Sequence, residues 1–305
     1  MNRSDPSNRQ TVSFLTRRFR EVGLRPDTRH GQNFLIDLNL VELLARTADV
    51  GPQDVVLEIG TGTGSLTAML AVRAGAVVTV EISAELHQLA REELFGRNNV
   101  IMLQQDALRN KNNIHPHVIE TVQQQLNAAP ERRLKLAANL PYNIATPIIS
   151  NLLTWDPAPV SMTVTIQKEL AERIAARPGT KDYGALSVWV QSQCQVEVVR
   201  ILPPAVFWPR PKVHSAIIHL TLDPQRRARI AEPAFFHSFV RSLFLHRRKY
   251  LRSGVLSGFR KQLSKDQLDR ILQQLGHGPD ARAEQLEVEE LLALSDAVRA
   301  VVQQS

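Results

Sequence analysis

The stretch EIGTGTGSLT, residues 58–67, closes the apolar run DVVLEI (54–59) and places glycines at 60, 62 and 64. Glycines after a strand let the backbone turn tightly and approach a ligand at the N-terminus of the next helix. The spacing is G-x-G-x-G and not G-x-G-x-x-G, so a dinucleotide fingerprint is absent. A second run, AVVTVE (76–81), ends in Glu81, 21 residues after Gly60. A doubly wound fold puts there the carboxylate that accepts from ribose hydroxyls. An ordinary turn and a solvated strand end are the plain alternatives. Taken together, Gly60, Gly62 and Glu81 predict a site for an adenosine-type cofactor.

Further runs extend the pattern: VIMLQ (100–104) and RLKLAAN (133–139) read as strands, with an amphipathic helix at 84–95. Continuous apolar strands separated by helices imply a parallel sheet covered on both faces. Strands are also expected at 160–167, 195–201 and 215–221. The last two have only a Pro-rich loop between them and are predicted to pair antiparallel. DPQRRARIAEP (223–233) reads as a linker, beyond which the pattern is helical. Ser264 with Gln267 forms a capping box and Gly276 a stop, and a last helix covers 286–302. The expected division is a catalytic domain over 1–222, with 1–28 flexible, and a helical domain over 223–305.

The chain has 305 residues, 43% hydrophobic, 5% aromatic, and a net charge of +7. Residues 223–260 hold nine Lys/Arg against two Asp/Glu, and residues 1–30 seven Arg against three acids. Two basic segments around a near-neutral body suggest a polyanion partner, a solvated helix face being the alternative. The single cysteine, Cys194, excludes an internal disulfide; its apolar surroundings SVWVQSQC mark a core thiol rather than a nucleophile. There is no Cys/His metal pattern, no apolar run of membrane-spanning length and no signal core, so a cytoplasmic protein without a metal is expected.

The discriminating stretch is ANLPYNIATP, residues 138–147. The amino nitrogen of adenine is a poor nucleophile because its lone pair is delocalised into the ring. The Asn139 side-chain oxygen and the Leu140 carbonyl could accept both N–H groups and aim the lone pair at the methyl of a sulfonium donor. Pro141 sets the turn, and Tyr142 offers a face for the base to stack on. An Asx-Pro turn with a half-buried tyrosine is the common alternative. Asp106, in QQDAL (104–108), could accept from a cofactor adenine amine or cap a short helix.

These motifs, with HGQNFL (30–35), NLPYNIATPII (139–149), IQKELAERIAARPGTKDYGALSV (166–188), PPAVFWPRPKVHSAIIHL (203–220) and FLHRRKYLR (244–252), resemble the ribosomal RNA adenine dimethyltransferases of the KsgA type. The similarity spans roughly residues 25–295. It implies a Rossmann-like class I S-adenosylmethionine-dependent methyltransferase with a small all-helical C-terminal domain. The substrate implied is a pair of adjacent adenosines in the 3′-terminal hairpin of small-subunit (16S) rRNA, dimethylated at N6 during small-subunit biogenesis, on rRNA or a 30S-like precursor. By motif, Asn33, Leu35, Gly60, Gly62, Glu81, Asp106 and Asn139 are the implied cofactor set. Asn139, Leu140, Pro141 and Tyr142 are the implied catalytic set, with Phe207 the second aromatic over the base. Arg247, Arg248, Lys249 and Arg252 are the implied RNA contacts, and a monomer is expected. Ser83 stands where the family has Asp, and Tyr250 and Ser253 where it has Thr and Asn. Three alternatives stand beside this: a large-subunit rRNA methyltransferase of the macrolide-resistance type, a nicotinamide-dependent oxidoreductase, and a non-catalytic assembly or transcription factor on the same fold.

Overall fold

A computed structural model describes residues 12–21, 23, 33–245, 249–260 and 262–303. In chain order the helices and strands are α1 (Val12–Glu21), β1 (Phe34–Leu35), α2 (Leu38–Thr47), β2 (Asp54–Ile59), α3 (Ser65–Ala71), β3 (Ala76–Glu81), α4 (Ala84–Glu93), β4 (Val100–Gln104), β5 (Leu108–Asn110), β6 (Asn113–Ile114), α5 (Pro116–Asn127), β7 (Arg133–Asn139), α6 (Ala145–Leu152) and β8 (Ser161–Gln167). There follow α7 (Lys168–Ile174), α8 (Ala185–Gln191), β9 (Cys194–Leu202), β10 (Phe207–Trp208), β11 (Ser215–Leu222), α9 (Pro224–Ala228), α10 (Pro233–Leu245), α11 (Leu251–Phe259), α12 (Lys265–Gln274) and α13 (Val288–Val302).

Seven strands form one sheet in the order β4-β3-β2-β7-β8-β11-β9. Strands β4, β3, β2, β7 and β8 run parallel, and β11 is antiparallel to β8. Every residue of β2 and β3 is buried. That is why both read as unbroken apolar runs and why their predicted bounds coincide with the observed ones. Strands β9 and β11 are neighbours, as the short loop between them suggested. The strand order reverses between β2 and β7. In an open parallel sheet this switch point leaves a crevice at the carboxyl ends of the strands.

The chain divides into two compact units, one reaching Ala171 and including Glu197–Thr221, the other made of Glu172–Val196 and Leu222 onward. The second unit therefore takes in a segment ahead of the linker at which the sequence pattern changes. The linker itself is not wholly irregular. Asp223 accepts from the amides of Gln225 and Arg226 and caps α9. Apart from the start of β9 and the last residue of β11, the regular structure described in this unit is helical, with Trp189, Tyr183, Phe236 and Phe239 buried. The Tyr183 hydroxyl donates to the Leu286 carbonyl at 3.0 Å. The Ser264–Gln267 capping box forms as predicted. Cys194 is buried, and desolvation pushes its thiol up to about 12, in keeping with a core role.

Within the stretch 1–28, expected to be flexible, Val12–Glu21 forms a helix; the rest of that stretch except Gly23 lies outside the described residues. The helix's apolar residues recur at helical spacing, so Leu15 and Phe19 are buried against Leu86 and Leu89 of α4. Arg18 reaches Glu92 at 2.5 Å on the outer side.

At the end of the sheet where β2 and β7 begin, Asp54 is fully buried. It accepts from Arg133 at 2.9 Å and from the Gly51 amide at 2.8 Å, and lies 3.1 Å from the Lys135 ammonium. Lys135 also donates to the carbonyls of Ala48 and Asp49. Asp54→Ala would leave a buried ammonium without its counter-charge and should destabilise the protein by about 3–5 kcal/mol. Denaturant unfolding of the two proteins checks this, and equal midpoints would refute it.

Candidate functional site

The β2–α3 turn is built from Gly60, Gly62 and Gly64, all with positive φ. A side chain at Gly62 would sit at φ +56° and meet the Phe34 ring at 3.5 Å. The left-handed region costs an L-residue roughly 1–2 kcal/mol. Glu81, at the end of β3, holds the loop from the neighbouring strand. One carboxylate oxygen accepts from the Gly62 amide at 2.9 Å, the other from the Ser83 amide at 3.0 Å. Ser83 in turn caps α4 by accepting from the Leu86 amide. Serine, like the aspartate expected there from the resemblance, is a residue type favoured at an N-cap.

A cavity is lined by Asn33, Phe34, Leu35, Gly60, Gly62, Glu81, Ile82, Asp106, Asn139, Leu140, Pro141 and Tyr142, among others. The predicted cofactor and acceptor residues therefore converge at the switch point, although Asn33 and Asn139 stand 106 positions apart. Asn139 ends β7, and its amide nitrogen donates to the Asn33 carbonyl at 2.9 Å. That bond orients the amide so that Oδ1 is left as an acceptor. No described residue donates to it. The Leu140 amide donates to the Thr165 carbonyl at 3.1 Å, while no described residue donates to the Leu140 carbonyl. Tyr142 is half-buried and shares a 2.6 Å hydrogen bond with the buried Ser215 hydroxyl, which holds the ring in place. Burial raises the Tyr142 phenol above its ordinary value, and the Ser215 contact opposes this.

Asp106 is exposed and accepts from the Leu108 amide at 2.8 Å. It opens a turn into the β5–β6 hairpin and does not cap a helix, which leaves its second oxygen available at the cavity. Ile82, half-exposed beside Glu81, adds an apolar face to the cavity.

Phe207, expected as the second aromatic over the base, is not among the residues that line the cavity. It pairs with Leu35 across the β1–β10 ribbon and is only 2% exposed, in the core with Leu202 and Ile217. Side chains alternate across a strand, so with Phe207 inward, Trp208 turns to the other side and packs on Phe19 at 5.4 Å. The aromatic that does line the cavity beside the glycine loop is Phe34, which meets Phe19 edge-on at 5.1 Å. Phe34 stands within HGQNFL, between the two residues to which that motif assigns a role, so its signal was present in the sequence. Ser215 has no comparable local signal.

Arg247 and Arg248 lie outside the described residues. Lys249 is exposed. Arg252 is engaged by Asp269 through two contacts at 2.5 and 2.7 Å, which join α11 to α12. Arg226 donates to the carbonyls of Gln191 and Cys194, and Arg227 to Gln193. Much of the positive charge of 223–260 thus holds its own unit together.

Glu58, the acid of EIGTGTG, is a site residue that motif reading misses. It is buried at the cavity and accepts from the hydroxyls of Thr67 and Thr79 at 2.5 and 2.7 Å. Desolvation pushes it up to about 8, opposed by the two hydroxyls and reinforced by the Glu81 charge. Burial likewise raises Glu81, opposed by the Ser83, Gly62 and Ile82 amides. Among the described residues there is no His/Cys/Asp/Glu group able to hold a metal ion, and no helix long and apolar enough to cross a membrane.

A family model described as ribosomal RNA adenine dimethylase matches residues 24–299, so α1 lies ahead of the matched segment. The ribosomal RNA small subunit methyltransferase A of Moorella thermoacetica is 40% identical over 278 residues, 90% of this chain and 93% of that protein. Its counterpart in Halothermothrix orenii is 38% identical over 268 residues, 88% and 86% respectively. Among solved structures, a dimethyladenosine transferase from Plasmodium falciparum superposes with a TM-score of 0.70 at 25% identity, covering 85% of this chain and 94% of that one. The 23S rRNA methyltransferase ErmE gives 0.60 at 26% identity, with 87% and 99% covered.

The raised Glu58 predicts a pH effect on stability. Below about pH 4.5 the carboxyl is protonated whether the chain is folded or not. Between there and about pH 8 the unfolded chain ionises while the folded one keeps its proton. The stability that the neutral carboxyl supplies is therefore full at low pH and is lost as pH rises through about 8. Glu58→Gln cannot ionise, and its unfolding free energy should fall less than the parent's from about pH 5 to about pH 9. Parallel curves in denaturant titrations would contradict this assignment.

Proposed function

We propose, because the chain belongs to the ribosomal RNA adenine dimethylase family, that it transfers methyl groups from S-adenosylmethionine to N6 of two adjacent adenosines near the 3′ end of small-subunit rRNA, adding two to each. The observation that carries this reading is the fixed orientation of Asn139. Its Nδ2 is held by the Asn33 carbonyl, so Oδ1 stands with the Leu140 carbonyl as one of two acceptors at the cavity.

The residues fit the sulfonium co-substrate. The positive-φ glycine loop allows close backbone approach, Glu81 ends the adjoining strand where ribose hydroxyls need an acceptor, and Ile82 and Asp106 suit the faces and amino edge of an adenine. S-adenosylmethionine supplies an electrophilic methyl on a positively charged sulfur. The protein's own work is positional. Oδ1 of Asn139 and the Leu140 carbonyl accept the two N–H groups, which draws the nitrogen lone pair out of conjugation and aims it. Tyr142, tethered to Ser215, holds the base flat. Alignment of this kind lowers a barrier by up to about 7–11 kcal/mol. Proton loss follows transfer and needs no buried base. After the first methylation one N–H remains, and one of the two acceptors suffices to hold it for the second.

The greater identity to small-subunit methyltransferases than to ErmE supports the small subunit as the substrate. The uncommitted acceptors on Asn139 and Leu140 favour a working enzyme over a binding-only factor. The G-x-G-x-G spacing disfavours nicotinamide chemistry.

Incubation with labelled S-adenosylmethionine and undermethylated small or large subunits tests the reading, and label found only in the large subunit would overturn it. Asn139→Ala should lower kcat about 10²–10³-fold, the loss typical of one preorganised polar contact to a reacting group. Tyr142→Ala should remove a base stack, about 1–3 kcal/mol of transition-state binding, whereas Tyr142→Phe should keep most of it. Equal losses in the two Tyr142 variants would assign the role to the hydroxyl instead of the ring.

A further inference from the structure

The segment Pro209–His214 joins β10 to β11 within the first unit, and each of its ends is tied to a residue that lines the cavity. At one end Trp208 pairs with Phe34. At the other Ser215 shares its hydroxyl with Tyr142, and the His214 carbonyl accepts from the Lys168 amide at 2.9 Å. Arg210 is two residues from the first anchor and Lys212 three from the second. Their backbones therefore lie within about 7–11 Å of anchored positions, since a chain spans at most ~3.6 Å per residue.

Both side chains are exposed. Neither makes a hydrogen bond or ion pair with any described residue, and the segment PRPKVH contains no acid. Pro209 and Pro211 restrict φ, and Pro211 restricts Arg210 before it, so little backbone entropy remains to be lost on binding. This contrasts with Arg226, Arg227 and Arg252 of the second unit, which are committed to carbonyls, an amide oxygen and a carboxylate.

We propose that Arg210 and Lys212 are a phosphate-binding pair that holds the RNA strand flanking the adenosine presented to Asn139 and Tyr142. The inference rests on the RNA methyltransferase reading given above. A base taken out of its stack brings its own sugar–phosphate backbone to the mouth of the pocket. Cations on a short, anchored segment beside the stacking tyrosine are placed to meet that backbone, and such contacts position a strand without reading its sequence. Arginine and lysine both serve, because phosphate is bound as a charge as well as a fork-shaped acceptor.

The test compares R210A/K212A with the charge-preserving R210K/K212R, using labelled S-adenosylmethionine and undermethylated small subunits over a range of salt. R210A/K212A should raise KM for the subunit at least tenfold, with a much smaller change in kcat. It should also flatten the dependence of log affinity on log salt by about 0.7 for each phosphate that is no longer neutralised. R210K/K212R should stay within about threefold of the parent KM. Affinity for S-adenosylhomocysteine and the melting temperature should be those of the parent in both variants. A parent-like KM and salt slope in R210A/K212A, while the parent labels the subunit, would overturn the phosphate-binding pair alone. A raised KM accompanied by weakened S-adenosylhomocysteine binding and an unchanged salt slope would also overturn it. Failure of the parent to label small subunits would overturn the methyltransferase reading, and this pair with it.

Discussion

Glu81 reaches across from β3 to hold the Gly62 amide at 2.9 Å, and the geometry of the cavity depends on that bond. The glycine loop leaves β2 in left-handed backbone conformations and has few side chains of its own with which to fix itself. Its position is set from outside, by Glu81 on one strand and by the Phe34 ring packed beside Gly62. Because Glu81 uses one lone pair on each oxygen in tethering Gly62 and Ser83, it enters any ligand contact already oriented. The burial that makes this orientation firm also raises its proton affinity.

A similar arrangement holds the other side of the switch point. Asn139 is fixed by a backbone carbonyl from the β1 approach, and Tyr142 by a buried serine at the start of β11. Three distant pieces of chain therefore determine where one acceptor oxygen and one aromatic face lie. Groups held rigid by the residues behind them lose little entropy when a substrate arrives. Glu58 sits behind this arrangement, with Thr67 and Thr79 donating to it and the Thr61 hydroxyl 2.6 Å from that of Thr79. It forms a buried polar cluster at the cavity. Its chemistry is that of a buried carboxyl whose charge depends on pH near neutrality.

Positive charge proves to be a poor guide until its partners are known. The basic segment 223–260 contains cations that hold α9 to the start of β9 and α11 to α12, all of which read as surface charge in the sequence. Ion pairs such as Arg252–Asp269 are half-exposed and contribute modestly to stability. Their consequence is to orient the guanidinium toward the partner carboxylate. The cations beside the cavity, Arg210 and Lys212, lie on a short loop that a count of charge along the chain does not pick out.

The parallel sheet, the bounds of β2, β3, β4 and β7, the glycine turn, and the place of Asn139 and Leu140 at the end of β7 were all legible in the amino-acid sequence. Each rests on short-range information: unbroken apolar runs for strands buried on both faces, glycine where φ must be positive, and proline after a strand end. The inward turn of Phe207 was not legible, because the parity of a two-residue strand is set by its partner Leu35 and not by its own residues. Nor was the docking of Val12–Glu21 as a helix, the capture of Arg252 by Asp269, or the bond by which Ser215 steadies Tyr142 from 73 positions away. Those outcomes depend on which surfaces the folded chain brings together, and local pattern carries no record of partners so far apart along it.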